Sequence, residues 1–299
     1  MNPAFKHVAE RVLVASGVAG FGRRRSRGRT LVLAYHNVLP EGFPPSGDLS
    51  LHLPQREFAR QLDHLAQSHD VVSINALSDG STSSQRPRVI ITFDDAYAGA
   101  LTCGVDELVR RGMSATIFVS PALLGSVPWW DLFADRSGGV VPDDLRTRAL
   151  HALGGEGPKI LADPQAPVAV RALRVQLPEI GTELQLSEAA SRPGISLGSH
   201  TWSHPNLVAL QTTAMESELT RPVEWLHARF RSVVPWLSYP YGLFADSVQA
   251  AAKRTGHLGA FRIDGGWIPR AEFSSYAIPR LNIPAGLSIN GFRLRLAGF

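Results

Sequence analysis

Short apolar runs, each followed by a stretch with helical spacing, restrict the fold of this chain more than any other feature. Leu31–Tyr35 (LVLAY), Val89–Phe93 (VIITF), Ala115–Val119 (ATIFV), Ile195–Ser199 and Val233–Tyr239 read as strands. Between them, Arg56–Gln67, Leu101–Arg111, Thr213–Phe230 and Ala245–Thr255 read as helices, the second stopped by Gly112. Val71–Ile74, Leu258–Arg262 and Tyr276–Ile283 are further strand candidates, and Ile289–Leu296 is a closing helix. The polar stretch Asp79–Arg88 reads as a loop. Such alternation predicts parallel β/α units, in an open α/β sheet or a barrel. No repeat of fixed period and no linker divides the chain. We expect one catalytic domain over 30–299 with a less regular insertion at about 121–193, holding helical patches at Asp144–Leu153 and Val168–Leu177.

The formal net charge is only +4, and its source is local: Arg23–Arg29 (RRRSRGR) holds five arginines in seven positions. A basic surface for nucleic acid is therefore not expected, nor is any zinc-finger or RRM pattern present. Before that run, Phe5, Val8, Val12 and Ala15 recur at helical spacing. Residues 1–29 thus read as an amphipathic and basic segment, either a solvated tether or an interfacial helix touching anionic membrane. Its uncharged stretch, Val12–Gly22, is well short of the ~20 residues that span a bilayer. The dense charge follows the apolar run, the reverse of a cleavable signal, so a cytoplasmic protein is expected, membrane-associated where this segment acts as the interfacial helix. The single cysteine, Cys103, excludes a disulfide framework and any cysteine-rich zinc module. A metal site here must use His, Asp and Glu, and ten histidines are available.

Three segments at strand ends carry chemistry. Thr92-Phe93-Asp94-Asp95 closes the VIITF strand with two carboxylates, which repel unless a cation or proton separates their roles. The plain alternative is a helix N-cap. Ser199-His200-Thr201-Trp202-Ser203-His204 sets two imidazoles at i and i+4, on one face if the turn is helical. With a carboxylate oxygen they suit Zn²⁺ or a similar ion; the alternative is a capped helix start with surface histidines. Ser238-Tyr239-Pro240-Tyr241-Gly242 can present a backbone N–H in a set direction, or be only a turn.

Together and in this order, these segments resemble the polysaccharide deacetylase family (carbohydrate esterase family 4, the NodB-homology domain), over roughly Leu31–Phe299. The resemblance implies an α/β fold of the deformed (β/α) barrel type. It also implies metal-dependent removal of N-acetyl groups from a sugar or polysaccharide. Carried over by position, Asp94 is the catalytic base. Asp95, His200 and His204 ligate a divalent metal ion, Zn²⁺ first among the candidates. The Tyr241 N–H helps hold the oxyanion. Tyr241, Pro240, Trp130 and Arg280 make up the expected substrate side, with Trp129-Trp130-Asp131 either a sugar-stacking wall or core filling.

Two departures from the family pattern stand out. The Arg that often precedes the third motif's Pro by two residues, orienting the catalytic Asp, is Ser238 here; Arg280 is a candidate replacement. The family's Leu-x-His near the C-terminus is absent, since no histidine follows His257. His36 ends the first strand instead, as in circularly permuted members, and is the expected general acid, kept protonated by a nearby carboxylate. The departures leave an alternative, a catalytically degenerate member that binds glycan without hydrolysing it. A phosphohydrolase lacks support, because there is no Gly-rich phosphate loop. His257 is expected to be structural, Cys103 buried and inert, and His52, His64, His69, His151 and His227 solvated.

Overall fold

In a computed structural model, residues 3–78, 85–166, 176–269 and 273–299 are described. In chain order the strands are β1 (Thr30–Tyr35), β2 (Asn37–Leu39), β3 (His52–Pro54), β4 (Asp70–Val71), β5 (Arg88–Phe93), β6 (Ala115–Val119), β7 (Ile195–Ser199), β8 (Val233–Ser238), β9 (Gly259–Phe261) and β10 (Leu281–Asn282). Eight of them form one sheet in the order β10-β1-β5-β6-β7-β8-β9, with β4 beside the start of β5; β2 and β3 pair separately. All the paired strands are parallel. β1 and β6 are buried throughout, which is why each reads as an unbroken apolar run.

Parallel neighbours need long crossovers, and helices supply them. The helices are α1 (Pro3–Ala15), α2 (Val18–Arg25), α3 (Gln55–Ser68), α4 (Val105–Arg110), α5 (Trp129–Arg136), α6 (Asp143–Thr147), α7 (Gly157–Leu161), α8 (Glu183–Ala190), α9 (Thr212–Arg229), α10 (Asp246–Arg254) and α11 (Ile289–Leu296), of which α1 and α2 precede β1 and α11 follows β10. Strand side chains alternate between two cores. Leu31, Leu33, Val89 and Ile91 pack in one cluster with Phe58, Leu62 and Leu65, the apolar stripe of α3. Val32 and Ile90 belong to another, with Phe118, Trp236 and Phe261, that fills the barrel interior. The seam is thin. β10 pairs with β1, while a single bridge from Phe261 to Ile278 joins the same returning segment to β9. This is a deformed (β/α) barrel.

Several elements differ from the sequence reading. Val71–Ile74 is a strand only to Val71, and Ile74 opens a 3₁₀ turn. Tyr276–Ile283 shrinks to the Ile278 bridge and β10, because Pro279 and Pro284 cannot donate to a ladder. Within the insertion, α5 begins at Trp129, where no helix was expected. Residues 79–84 of the expected loop and 168–175 of the Val168–Leu177 patch lie outside the described residues. The N-terminal segment is not a bare tether: α1 packs on α11, and Glu10 accepts a hydrogen bond from Ser288. Among the described residues, no helix is long and apolar enough to cross a membrane.

Candidate active site

Strand register brings the chemistry to one pole. Tyr35 pairs with Phe93, and Asp94 N–H donates to Tyr35 O at 2.9 Å, so His36 and Asp94 leave neighbouring strands side by side. His200 N–H likewise donates to Val119 O at 2.9 Å. One cavity of about 250 Å³ is lined by His36, Asp94, Asp95, Trp130, His200, His204 and Tyr241. Pro240 and Arg280 of the expected substrate side do not line it. Pro240 is buried in its turn, and Arg280 is 0% exposed beneath Asp94.

That burial gives Arg280 a different role. Its Nη1 and Nη2 donate to Asp94 Oδ1 and Oδ2 at 2.8 and 2.7 Å, a bidentate pair. Nη2 also reaches Ser238 Oγ at 2.9 Å, and Nε donates to Arg262 O at 3.0 Å. The guanidinium that the sequence lacks at position 238 thus arrives from the seam and touches Ser238 itself. Burial alone would raise the Asp94 pKa, but the Arg280 charge, helped by His200, holds the carboxyl well below the usual range.

Asp95, His200 and His204 place one ligand atom each within 4.8 Å of one another, all buried. His200 Nδ1 donates to Ser238 O at 2.7 Å, which leaves the Nε2 lone pair facing inward. The two Nε2 atoms lie 3.2 Å apart, and Asp95 Oδ1 lies 3.4 and 3.3 Å from them. No donor satisfies Asp95 Oδ1 in hydrogen-bond geometry. Burial drives His204 down to about 3 against the pull of Asp95, so its imidazole is neutral. For His200, burial is outweighed by Asp94 and Asp95, which raise its pKa. Two imidazole nitrogens and a carboxylate oxygen that converge this closely, with Asp95 Oδ1 otherwise unsatisfied, fit a divalent cation.

The two imidazoles do not meet across a helical turn, as i,i+4 spacing suggested. Residues 200–206 are irregular, and Thr201 and His204 have φ of 67° and 61°. Of the five non-glycine residues with positive φ among the described residues, Asp95, Thr201, His204 and Tyr241 lie in the three motif segments, and Ala96 directly follows the first. Strain of this kind persists only where surroundings impose it. Here Glu218 of α9 does so: its carboxylate accepts from Trp202 N–H at 2.9 Å, Ser203 N–H at 2.8 Å and Ser203 Oγ at 2.8 Å. Nothing local in the sequence marks Glu218.

A second group escaped sequence reading. Asp131 of α5 is fully buried and accepts from Tyr97 Oη at 2.6 Å, His52 Nε2 at 2.8 Å and Asp48 N–H at 2.8 Å. Asn37 donates to His52 Nδ1 at 3.2 Å, completing the chain. Gly47 lets the loop come this close, since a Cβ there would meet the Asp131 carboxylate. Trp130 Nε1 donates to Tyr97 Oη at 2.7 Å and sets the indole 5.0 Å from the His204 ring. Trp129 Nε1 donates to Tyr241 Oη at 3.1 Å. The tryptophans are therefore both cavity wall and insertion core. His52 and His69 are buried, correcting the solvated roles expected for them, whereas His151 and His227 are exposed. Burial also lowers the His36 pKa despite Asp95 and Asp94, so the carboxylates do not by themselves keep it protonated as expected. Cys103 is partly buried, and burial pushes its thiol up to about 11.

Comparisons with known proteins bear on the fold and the family. YxkH of Bacillus subtilis (strain 168), which bears a polysaccharide deacetylase name, is 24% identical over 265 residues, covering 87% of this chain and 74% of its own. The Streptococcus pyogenes deacetylase PplD, solved in complex with acetate, superposes with a TM-score of 0.62 at 17% identity, covering 90% of this chain and 98% of that one. IcaB from Ammonifex degensii gives a TM-score of 0.62 at 17% identity, covering 90% and 96%. These likenesses establish the fold. The sequence profile described as polysaccharide deacetylase matches residues 81–260, and with it the chain belongs to the polysaccharide deacetylase family.

Proposed function

We propose that the protein is a metal-dependent hydrolase that removes N-acetyl groups from a sugar or polysaccharide. The observation that carries this reading is the pairing of a cation-ready Asp95/His200/His204 triad with Asp94, held by Arg280, in one cavity. A divalent ion on the triad, Zn²⁺ foremost, would supply Lewis acidity toward the acetyl carbonyl and a water of lowered pKa. Asp94, kept ionised and oriented by Arg280, accepts the proton of the attacking water. The Tyr241 backbone N–H donates to the carbonyl oxygen as it gains negative charge. His36 delivers a proton to the departing amine nitrogen. Trp130 gives the sugar ring an apolar face.

Against a glycan-binding relic stand the pairing of Arg280 with Asp94 and the presence of His36 in the same cavity. The cytoplasmic side is the proposed location, because polybasic segments find anionic headgroups there. The test is free-amine release from an N-acetylglucosamine oligomer, with metal content measured on the same protein. Asp94→Asn and His36→Ala are each expected to retain metal and lose at least ~100-fold in turnover. Substantial deacetylation by either variant would overturn its assigned role. Bound metal without turnover in the wild type on every acetylated glycan tried would favour the binding module.

A further inference from the structure

A cavity of about 880 Å³, larger than the candidate catalytic one, lies elsewhere. It lies at the opposite pole. Arg29, which lines it, immediately precedes β1, and Trp267 bridges to Leu31 at the start of the same strand. His36 follows the other end of β1, so one strand length, roughly 20 Å, separates the two. Phe21, Arg25 and Arg295 complete the part of this wall that bears on a ligand. Arg29 donates to Ile268 O at 3.3 Å and lies over the Trp267 ring at 5.7 Å; Arg295 donates to Asn282 O at 3.1 Å. Carbonyl oxygens thus hold both guanidinium groups in place.

The surrounding surface is one-sided in charge. Residues 1–29 hold seven Lys and Arg against one acid, Glu10, and that acid is buried on Ser288. A neighbouring cavity is lined by Arg24, Arg27 and Arg86. In the N-terminal segment that carries most of these arginines, Val8, Val12 and Leu13 of α1 and Phe21 of α2 are exposed. Arginines alone would suit any polyanion. Exposed aliphatic and aromatic side chains in the same segment suit a partner with an anionic surface above an apolar layer.

We propose that this pole docks on an anionic lipid surface, with Arg25, Arg29 and Arg295 holding a lipid phosphate and Val12, Leu13 and Phe21 entering the acyl boundary. The catalytic cavity then opens away from the bilayer. This surface stands independently of the catalytic reading and can fail without it.

Vesicle flotation of the full chain tests it, using phosphatidylcholine with and without phosphatidylglycerol. Binding is expected only with phosphatidylglycerol and should weaken as salt rises. Each basic side chain near such a surface contributes about fivefold, so Arg24→Gln/Arg25→Gln should weaken binding by about 25-fold. Phe21→Ser should also weaken it, and melting curves should show that the exposed substitutions leave the fold intact. Equal binding to phosphatidylcholine alone, or no binding, would overturn the proposal. So would displacement by millimolar inorganic phosphate, which would mark a small-anion site, or a preference for an RNA oligomer over vesicles.

Discussion

At His257 the imidazole is buried in the turn between α10 and β9, with Thr255 Oγ1 3.2 Å from Nδ1 and no partner on Nε2. Burial lowers its pKa to about 4. The unfolded chain, with an ordinary imidazole, binds this proton between about pH 4 and 6.5 while the folded chain does not, so stability falls as pH falls through that window. Urea unfolding should lose about 2 kcal/mol between pH 7 and pH 5 from this group, and His257→Gln should flatten the slope. An unchanged slope would show that other groups dominate. Single residues were legible where a motif framed them, as at Asp94, Asp95, His200 and His204. Asp131 and His52 were not, because their contacts join residues 79 apart in the chain.

At the scale of elements, α9 does more than cross between β7 and β8, since its Glu218 fixes the loop that carries both imidazoles of the proposed metal site. Glu218→Gln should lower metal affinity by about 10–100-fold, read by calorimetric titration with Zn²⁺. Unaltered affinity would mean that the loop holds its shape unaided. Strand positions were readable because fully buried parallel strands admit little but apolar residues, as in β1 and β6. The seam was misread as one long strand because its prolines interrupt pairing without removing apolar character. Whether the HTWSH turn is helical was left open in the sequence because i,i+4 spacing does not encode φ, and Thr201 and His204 both lie in the left-handed region.

Taken as a whole molecule, the barrel brings its proposed metal ligands together from the ends of β5 and β7, which are separated in the sheet by β6. An ion bound there in the folded chain alone stabilises all three strands together, by about 3 kcal/mol at 100 times its dissociation constant. Chelation should therefore lower the melting temperature by roughly 5 °C or more, and added Zn²⁺ should restore it. Identical melting with and without chelator would argue against a resident ion. The seam has a consequence in time rather than in space. Arg280, which holds Asp94, belongs to the last strand segment of the chain, just ahead of β10 and α11. During synthesis every proposed metal ligand leaves the ribosome well before this arginine. On the proposed reading, a nascent barrel can gather an ion early, yet the proposed base Asp94 stays unheld until Arg280 is in place.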